Sequence, residues 1–319
     1  MSSTMLAGVA APDGLKVTEI ARPNPGPGEI LVKVAAAGLN RADLFAATMS
    51  PARTPIGMEW AGEVVEIGAD VRGFTVGNRV ACSGAGGYAE YAVCNARRAI
   101  RISNKLDLVE AATLPLVLMT AHNALSTVGA MKAGDKVLIH GASSGAGIAA
   151  VRIARLLGAG FIAATARNEG NRARLADLGA DLVIDPAEGW SAQLREATGG
   201  HGADVIVDMV TGPGLRETMK AAALLGRIVN VGRLGGPAAE IDLDLHAVNR
   251  LSLIGVTFRT RTIDEIAEIT RGVETALWHH VETGALRLPL DKVFPLAEAT
   301  AALERMAANR HFGKIALTM

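Results

Sequence analysis

Short, almost unbroken apolar runs recur through the middle of the chain: Lys136-Val137-Leu138-Ile139-His140, Phe161-Ile162-Ala163-Ala164-Thr165, Leu182-Val183-Ile184, Asp204-Val205-Ile206-Val207-Asp208, Arg227-Ile228-Val229-Asn230-Val231 and Leu253-Ile254-Gly255-Val256-Thr257. Runs of this kind predict strands buried on both faces, hence a parallel sheet. Helical patterns separate them, for example from Asn171 to Leu178 and from Leu215 to Leu225. Gly158, Gly179 and Gly226 stand where helices are expected to end. After Gly145, the stripes Ile148, Val151, Ala154 and Ala150, Ile153, Leu157 leave only Arg152 and Arg155 on a wet face. That is the pattern of a helix lying on a sheet.

The first third reads differently. Pro23, Pro25 and Pro27 with Gly26 and Gly28 make a stiff entry. Strands are expected over 29–34 and 62–68, then from Val80 and over 88–93, broken by Gly and Asn turns. Short strands with such turns argue for a mostly β unit. Helical patterns follow over 109–112 and 120–128. Two amphipathic helices are expected over 264–282 and 296–308, and a last strand, Lys314 to Leu317, rejoins the β unit.

Between the first strand of the middle region and its helix lies Gly141-Ala142-Ser143-Ser144-Gly145-Ala146-Gly147. A strand, a tight glycine turn and a helix start form a cradle for a dinucleotide pyrophosphate, because small residues admit the phosphates and free N–H groups face them. Ser143, Ser144, Gly145, Ala146 and Gly147 are the expected contacts, with Thr165 at the end of the second strand a further expected cofactor residue. The second strand of such a unit usually ends in an acid that holds the ribose 2′-hydroxyl. Here no acid occurs from Phe161 through Asn168, and Arg167 follows the strand end at Thr165. A guanidinium suits a 2′-phosphate, so the expected cofactor is NADPH. Arg172 and Arg174 read as a solvated helix face.

Composition narrows the class. The 319 residues carry 32 Lys and Arg against 32 Asp and Glu, a formal net charge of zero that gives no sign of general nucleic-acid binding. No apolar stretch is long enough to span a bilayer, and no secretory signal pattern opens the chain. The two cysteines, Cys82 and Cys94, do not make a disulfide framework and fit a reducing cytoplasm.

Taken in order, several segments resemble the medium-chain dehydrogenase/reductase superfamily and its zinc-free quinone oxidoreductase branch, similar to zeta-crystallin. These are Pro25-Gly26-Pro27-Gly28-Glu29-Ile30, Gly38-Leu39-Asn40-Arg41-Ala42-Asp43, Gly57-Met58-Glu59 before Ala61-Gly62-Glu63, Gly77-Asn78-Arg79-Val80, Gly86-Gly87-Tyr88-Ala89-Glu90, Thr120-Ala121, the glycine turn and Gly313-Lys314. The resemblance implies an α/β protein. A GroES-like, mostly β catalytic domain (1–117 and 259–319) is interrupted by a Rossmann NADP-binding domain (118–258) with a doubly wound parallel sheet, and the active site lies in the cleft between them. It also implies a homodimer, joined through the edge strand near Leu251 to Phe258. Zinc members of the superfamily place Cys where Asn40 stands and His where Met58 stands, and Ala111 to Met119 contain no Cys, His, Asp or Glu. No metal is therefore expected.

Without a Lewis acid a simple ketone lacks its polarising group, whereas quinones and activated alkenes spread the incoming charge. By resemblance Asn40 and Asp43 lie near the nicotinamide and the substrate oxygen, with Asn40 donating a hydrogen bond or holding a water, Asp43 orienting it and Phe45 walling the pocket. Asn40 as a turn residue and Asp43 as a helix cap remain open. Thr120, Val231-Gly232-Arg233, Val256-Thr257-Phe258 and Lys314 are assigned to the cofactor in the same way. His122 is a proton donor or a structural histidine. The loop from Asp43 to Pro55 is shorter than expected of the branch, and aromatic residues make up only 3% of the chain. Three functions stay open: an NADPH:quinone oxidoreductase, an NADPH-dependent enone or enoyl-thioester reductase, and an NADPH-binding structural or sensor protein with little turnover.

Overall fold

The computed structural model describes residues 3–12 and 14–319. In chain order the strands are β1 (Thr4–Ala11), β2 (Gly14–Ala21), β3 (Glu29–Gly38), β4 (Glu59–Ile67), β5 (Arg79–Ser83), β6 (Tyr91–Asn95), β7 (Ala99–Arg101) and β8 (Lys136–His140). They continue as β9 (Phe161–Thr165), β10 (Leu182–Ile184), β11 (Ala203–Asp208), β12 (Ala222–Asn230), β13 (Ser252–Gly255), β14 (Leu290–Pro295) and β15 (Lys314–Thr318). The chain divides into two compact units, one of residues 1–117 with 262–319, the other of residues 118–261.

The first unit is GroES-like. A β1–β2 hairpin accompanies a seven-stranded sheet with the main path β14-β15-β3-β4-β5-β7, and β6 also pairs with β3. Its core gathers Ile30, Val32, Trp60, Val64, Val80 and Tyr88 with Ile315 and Leu317, so the two ends of the chain share one hydrophobic centre. Lys314 to Thr318 does rejoin the β unit, pairing antiparallel with β3 and parallel with β14. The hairpin β1–β2 and the strand β14 add to the expected elements. Tyr88 precedes β6 rather than lying in it, and its buried ring turns into the core.

The second unit is Rossmann-like: six parallel strands in the order β10-β9-β8-β11-β12-β13. This 3-2-1-4-5-6 order brings the carboxyl ends of all strands to one edge, where α/β sheets take ligands. The helix Gly145–Leu156 starts at that edge and buries Ile148, Ala150, Val151, Ile153 and Ala154 as the stripes predict, while Leu157, its C-cap, is half-buried. Two expectations fail in this unit. The helix beginning at Leu215 stops at Ala221, so Gly226 is no helix cap but lies inside β12. The reason is an irregularity: Ala222 pairs with Ala203 but Arg227 already pairs with Val205. The intervening residues bulge out, and Leu224 and Leu225 are exposed there, which a helical reading of their apolar character cannot anticipate. The segment expected to be one helix over 120–128 is the end of the α-helix Pro115–His122 followed by a π-helical stretch, Asn123–Val128.

Candidate active site and dinucleotide turn

The first unit holds a buried polar cluster. Asn40 precedes the helix Arg41–Met49 as its N-cap, and Asp43 sits at the third position of that helix. The Asn40 backbone N–H donates to Asp43 Oδ2 (2.8 Å), and the Tyr88 hydroxyl donates to the same oxygen (2.7 Å). Asp43 is thus a helix-capping residue, one of the two readings left open, and is also buried beside a phenol. Its Oδ1 has no hydrogen-bond partner although it is buried. Burial raises the Asp43 pKa to about 7, against the lowering effects of Tyr88, Asn40 and Lys314. Near neutral pH the carboxyl therefore exchanges a proton.

Beside it lies a buried ion pair. The Lys314 ammonium donates to Glu59 Oε1 (2.6 Å), to the Leu39 carbonyl (2.6 Å) and to Asn40 Oδ1 (3.0 Å). Asn40 Nδ2 donates to Glu59 Oε1 (2.8 Å), and the Leu116 N–H donates to Glu59 Oε2 (2.8 Å). Lysine can only donate and an ionised carboxylate can only accept, so the two partners determine which way the Asn40 amide faces. The second N–H of Nδ2 has no partner in this cluster. Sequence reasoning assigned Lys314 to the cofactor; here all three of its donors are spent inside the cluster. Glu59 and Tyr88 belong to the motifs Gly57-Met58-Glu59 and Gly86-Gly87-Tyr88, and only the fold brings them beside Asn40 and Asp43. Phe45, on the same helix, is exposed.

This donor set does not fit a zinc ion. Asn40, where metal members carry Cys by the resemblance, offers an amide already engaged by Lys314 and Glu59, and Glu59 is paired with the Lys314 ammonium. Among the described residues no group of three or more His, Cys, Asp and Glu is placed to hold a metal.

In the second unit the glycine turn lies between β8 and the helix Gly145–Leu156. Gly141 takes a left-handed backbone (φ 84°), and its N–H donates to Thr165 Oγ1 (2.9 Å) at the end of β9. The Ser144 hydroxyl caps the helix by accepting from the Gly147 N–H (3.1 Å). A Cβ on Gly147 would stand 2.7 Å from the Ala142 backbone, so only glycine permits this contact between helix and turn. Gly145 and Ala146 open the helix, Ser143 precedes it half-exposed, and their N–H groups are those an α-helix leaves without intrahelical partners. These features fit a dinucleotide.

Arg167 is exposed just beyond β9, while the Arg172 guanidinium is spent on the Ala166 and Arg167 carbonyls and on Asp185. Val231-Gly232-Arg233 follows β12 and Val256-Thr257-Phe258 follows β13, both at the carboxyl edge. Thr120 and His122 lie on the helix Pro115–His122. His122 is buried and burial lowers its pKa, which favours the neutral ring and works against an imidazolium donor.

Comparisons with known proteins identify the family and the fold of both units. The family described as "Alcohol dehydrogenase GroES-like domain" matches residues 26–104, and that described as "Zinc-binding dehydrogenase" matches residues 145–274. The quinone oxidoreductase of Homo sapiens is 30% identical over 92% of this chain and 90% of its own length. The chain belongs to the medium-chain dehydrogenase/reductase superfamily. Its members are NAD(P)-dependent oxidoreductases. A mycocerosic acid synthase-like polyketide synthase of Mycobacterium tuberculosis is 35% identical over 97% of this chain, which spans only 15% of that protein's length. Among solved structures, the mycobacterial protein Rv1454c complexed with NADPH superposes with a TM-score of 0.89 at 26% identity, covering 99% of this chain and 100% of the other. No helix among the described residues is long and apolar enough to cross a membrane.

Proposed function

We propose that the chain is a metal-independent, NADPH-dependent reductase of acceptors conjugated to a carbonyl, with quinones as the first class. The observation that supports this reading is the Asn40 amide, which stands where zinc members of the superfamily carry Cys and is held by Lys314 and Glu59, with no ligand set beside it among the described residues to bind the metal that would polarise a simple ketone. An acceptor that delocalises charge needs less help. When bound, the dinucleotide supplies a hydride. The residues Ser143 to Gly147 hold its pyrophosphate and Arg167 its 2′-phosphate. Val231 to Arg233 and Val256 to Phe258 approach its nicotinamide end through their backbones, and Thr120 lies beside it. Asn40, held by Lys314 and Glu59, offers its second amide N–H to the acceptor oxygen. Asp43 fixes the Asn40 backbone and, titrating near neutrality, stores a proton. Phe45 contributes an exposed apolar face to the substrate.

The second reading, reduction of the C=C bond of an enoyl thioester, draws on the similarity to polyketide synthases, which is higher in identity than that to quinone oxidoreductases. Product analysis with NADPH and a matched panel of quinones, enones and enoyl thioesters separates the two. Hydroquinone or semiquinone formation from quinones alone is expected; a saturated thioester product replaces the first reading with the second. Tight NADPH binding with no turnover on any acceptor refutes both and leaves a binding protein.

Cofactor choice is checked separately. Arg167→Ala is expected to raise the KM for NADPH by about tenfold or more, the loss of a charge-assisted phosphate contact, and to leave NADH nearly unaffected. Equal losses for both cofactors refute the assignment. A homodimer through β13 completes the proposal, because this strand is one of the two edges of the parallel sheet and carries an apolar run that would be a hazard if left exposed. Light scattering after size exclusion is expected to give twice the chain mass, and a monomer at working concentration refutes it.

A further inference from the structure

Among the non-glycine residues with positive φ, Thr211 stands out: φ 50° and ψ −143° place a β-branched residue in a region that is otherwise almost the preserve of glycine. It lies just past β11, and its surroundings hold it there. The Asp208 carboxylate accepts from the Val210 N–H (2.8 Å) and the Thr211 N–H (2.9 Å). The Thr211 hydroxyl donates to the Gly232 carbonyl (3.1 Å) and accepts from Asn230 Nδ2, which also donates to that carbonyl (3.2 Å). Backbone bonds from Gly235 N–H to the Val210 carbonyl (2.8 Å) and from Gly232 N–H to the Asp208 carbonyl (3.1 Å) close the clasp. A Cβ on Gly232 would stand 2.4 Å from the Met209 carbonyl oxygen, so the two turns are in direct backbone contact.

Such strain persists only where the surrounding structure over-determines it. We propose that Thr211 is a positioning residue for the cofactor: it locks the turn after β11 to the turn after β12, holding Val231 to Arg233 in one conformation toward the nicotinamide end of the dinucleotide. This rests on the reading that Val231 to Arg233 lies against the bound cofactor. The device acts through the hydroxyl, so Thr211→Ser retains it and Thr211→Val loses it while keeping the branched shape. Thr211→Gly loses the hydroxyl but relieves the backbone, and so covers the case in which the Val variant fails to fold.

The test joins NADPH titration by fluorescence with hydrogen exchange over residues 226–236. In the unaltered protein NADPH is expected to slow exchange across this segment. The Val and Gly variants are expected to raise the Kd for NADPH about tenfold, as lost hydrogen bonds to one turn would, and to lose most of that slowing. The Ser variant is expected to stay within about twofold. Unchanged Kd and retained slowing in the Val and Gly variants overturn the positioning role alone. No slowing in the unaltered protein overturns the cofactor reading beneath it, and the proposal with it.

Discussion

Replacing Lys314 by Met is expected to destabilise the first unit by about 3–5 kcal/mol, the cost of leaving a buried carboxylate without its partner. Glu59 and the Lys314 ammonium are both almost wholly withdrawn from solvent. Removing the ammonium also strips Asn40 Oδ1 and the Leu39 carbonyl of a donor. The double variant Glu59→Gln with Lys314→Met is expected to cost less than the sum of the singles by ~2 kcal/mol, because it removes both buried charges together. Urea unfolding followed by tryptophan fluorescence reads the effect, since Trp60 and Trp278 lie in this unit. A loss below ~1 kcal/mol for Lys314→Met would show that the pair is solvated and does not hold the cluster together.

Asp43→Asn is expected to slow turnover while stabilising the protein at alkaline pH. The Asp43 pKa rises on folding from an ordinary 3.8 to about 7, chiefly by burial. The folded state therefore favours the protonated carboxyl. Its contribution to stability is complete below about pH 4, declines as pH rises, and is gone above about pH 7. Three pKa units correspond to an upper bound of ~4 kcal/mol, and relaxation of the site brings the expected loss nearer ~2 kcal/mol. A neutral amide carries no such dependence. Thermal melts between pH 4 and 8 should slope for the parent and flatten for the variant. Equal slopes would mean that Asp43 ionises freely. In turnover, the parent is expected to show an ionisation near pH 7 that Asp43→Asn lacks, and an unaltered pH profile would leave Asp43 with the capping role alone.

Most of the second unit was legible in the chain. Its strands are buried on both faces, so each appears as an apolar block, and the helix on the glycine turn shows its stripe openly. The turn itself was legible because a phosphate cradle demands small residues at adjacent positions. The bulge of β12 was not, since Leu224 and Leu225 are apolar and exposed, and local pattern assigns such residues to a buried face.

The first unit yielded less. β1, β2 and β14 have irregular alternation of apolar and polar residues, so a period-2 pattern does not mark them although each pairs with a strand close in the chain. The polar cluster is instead split along the chain. Asn40 and Asp43 share a short motif, but Glu59 is 19 residues from Asn40 and Lys314 is 255 residues from Glu59. Local sequence determined most of the second unit's elements, the dinucleotide turn, the missing acid after β9 and the absence of the usual zinc ligands. Tertiary structure alone decided that Lys314 serves Glu59 and Asn40, that Tyr88 serves Asp43, and that Thr211 is strained. Burial and pairing are set by which strands meet, and the free energy of a charge or a backbone angle depends on those neighbours rather than on its place in the chain.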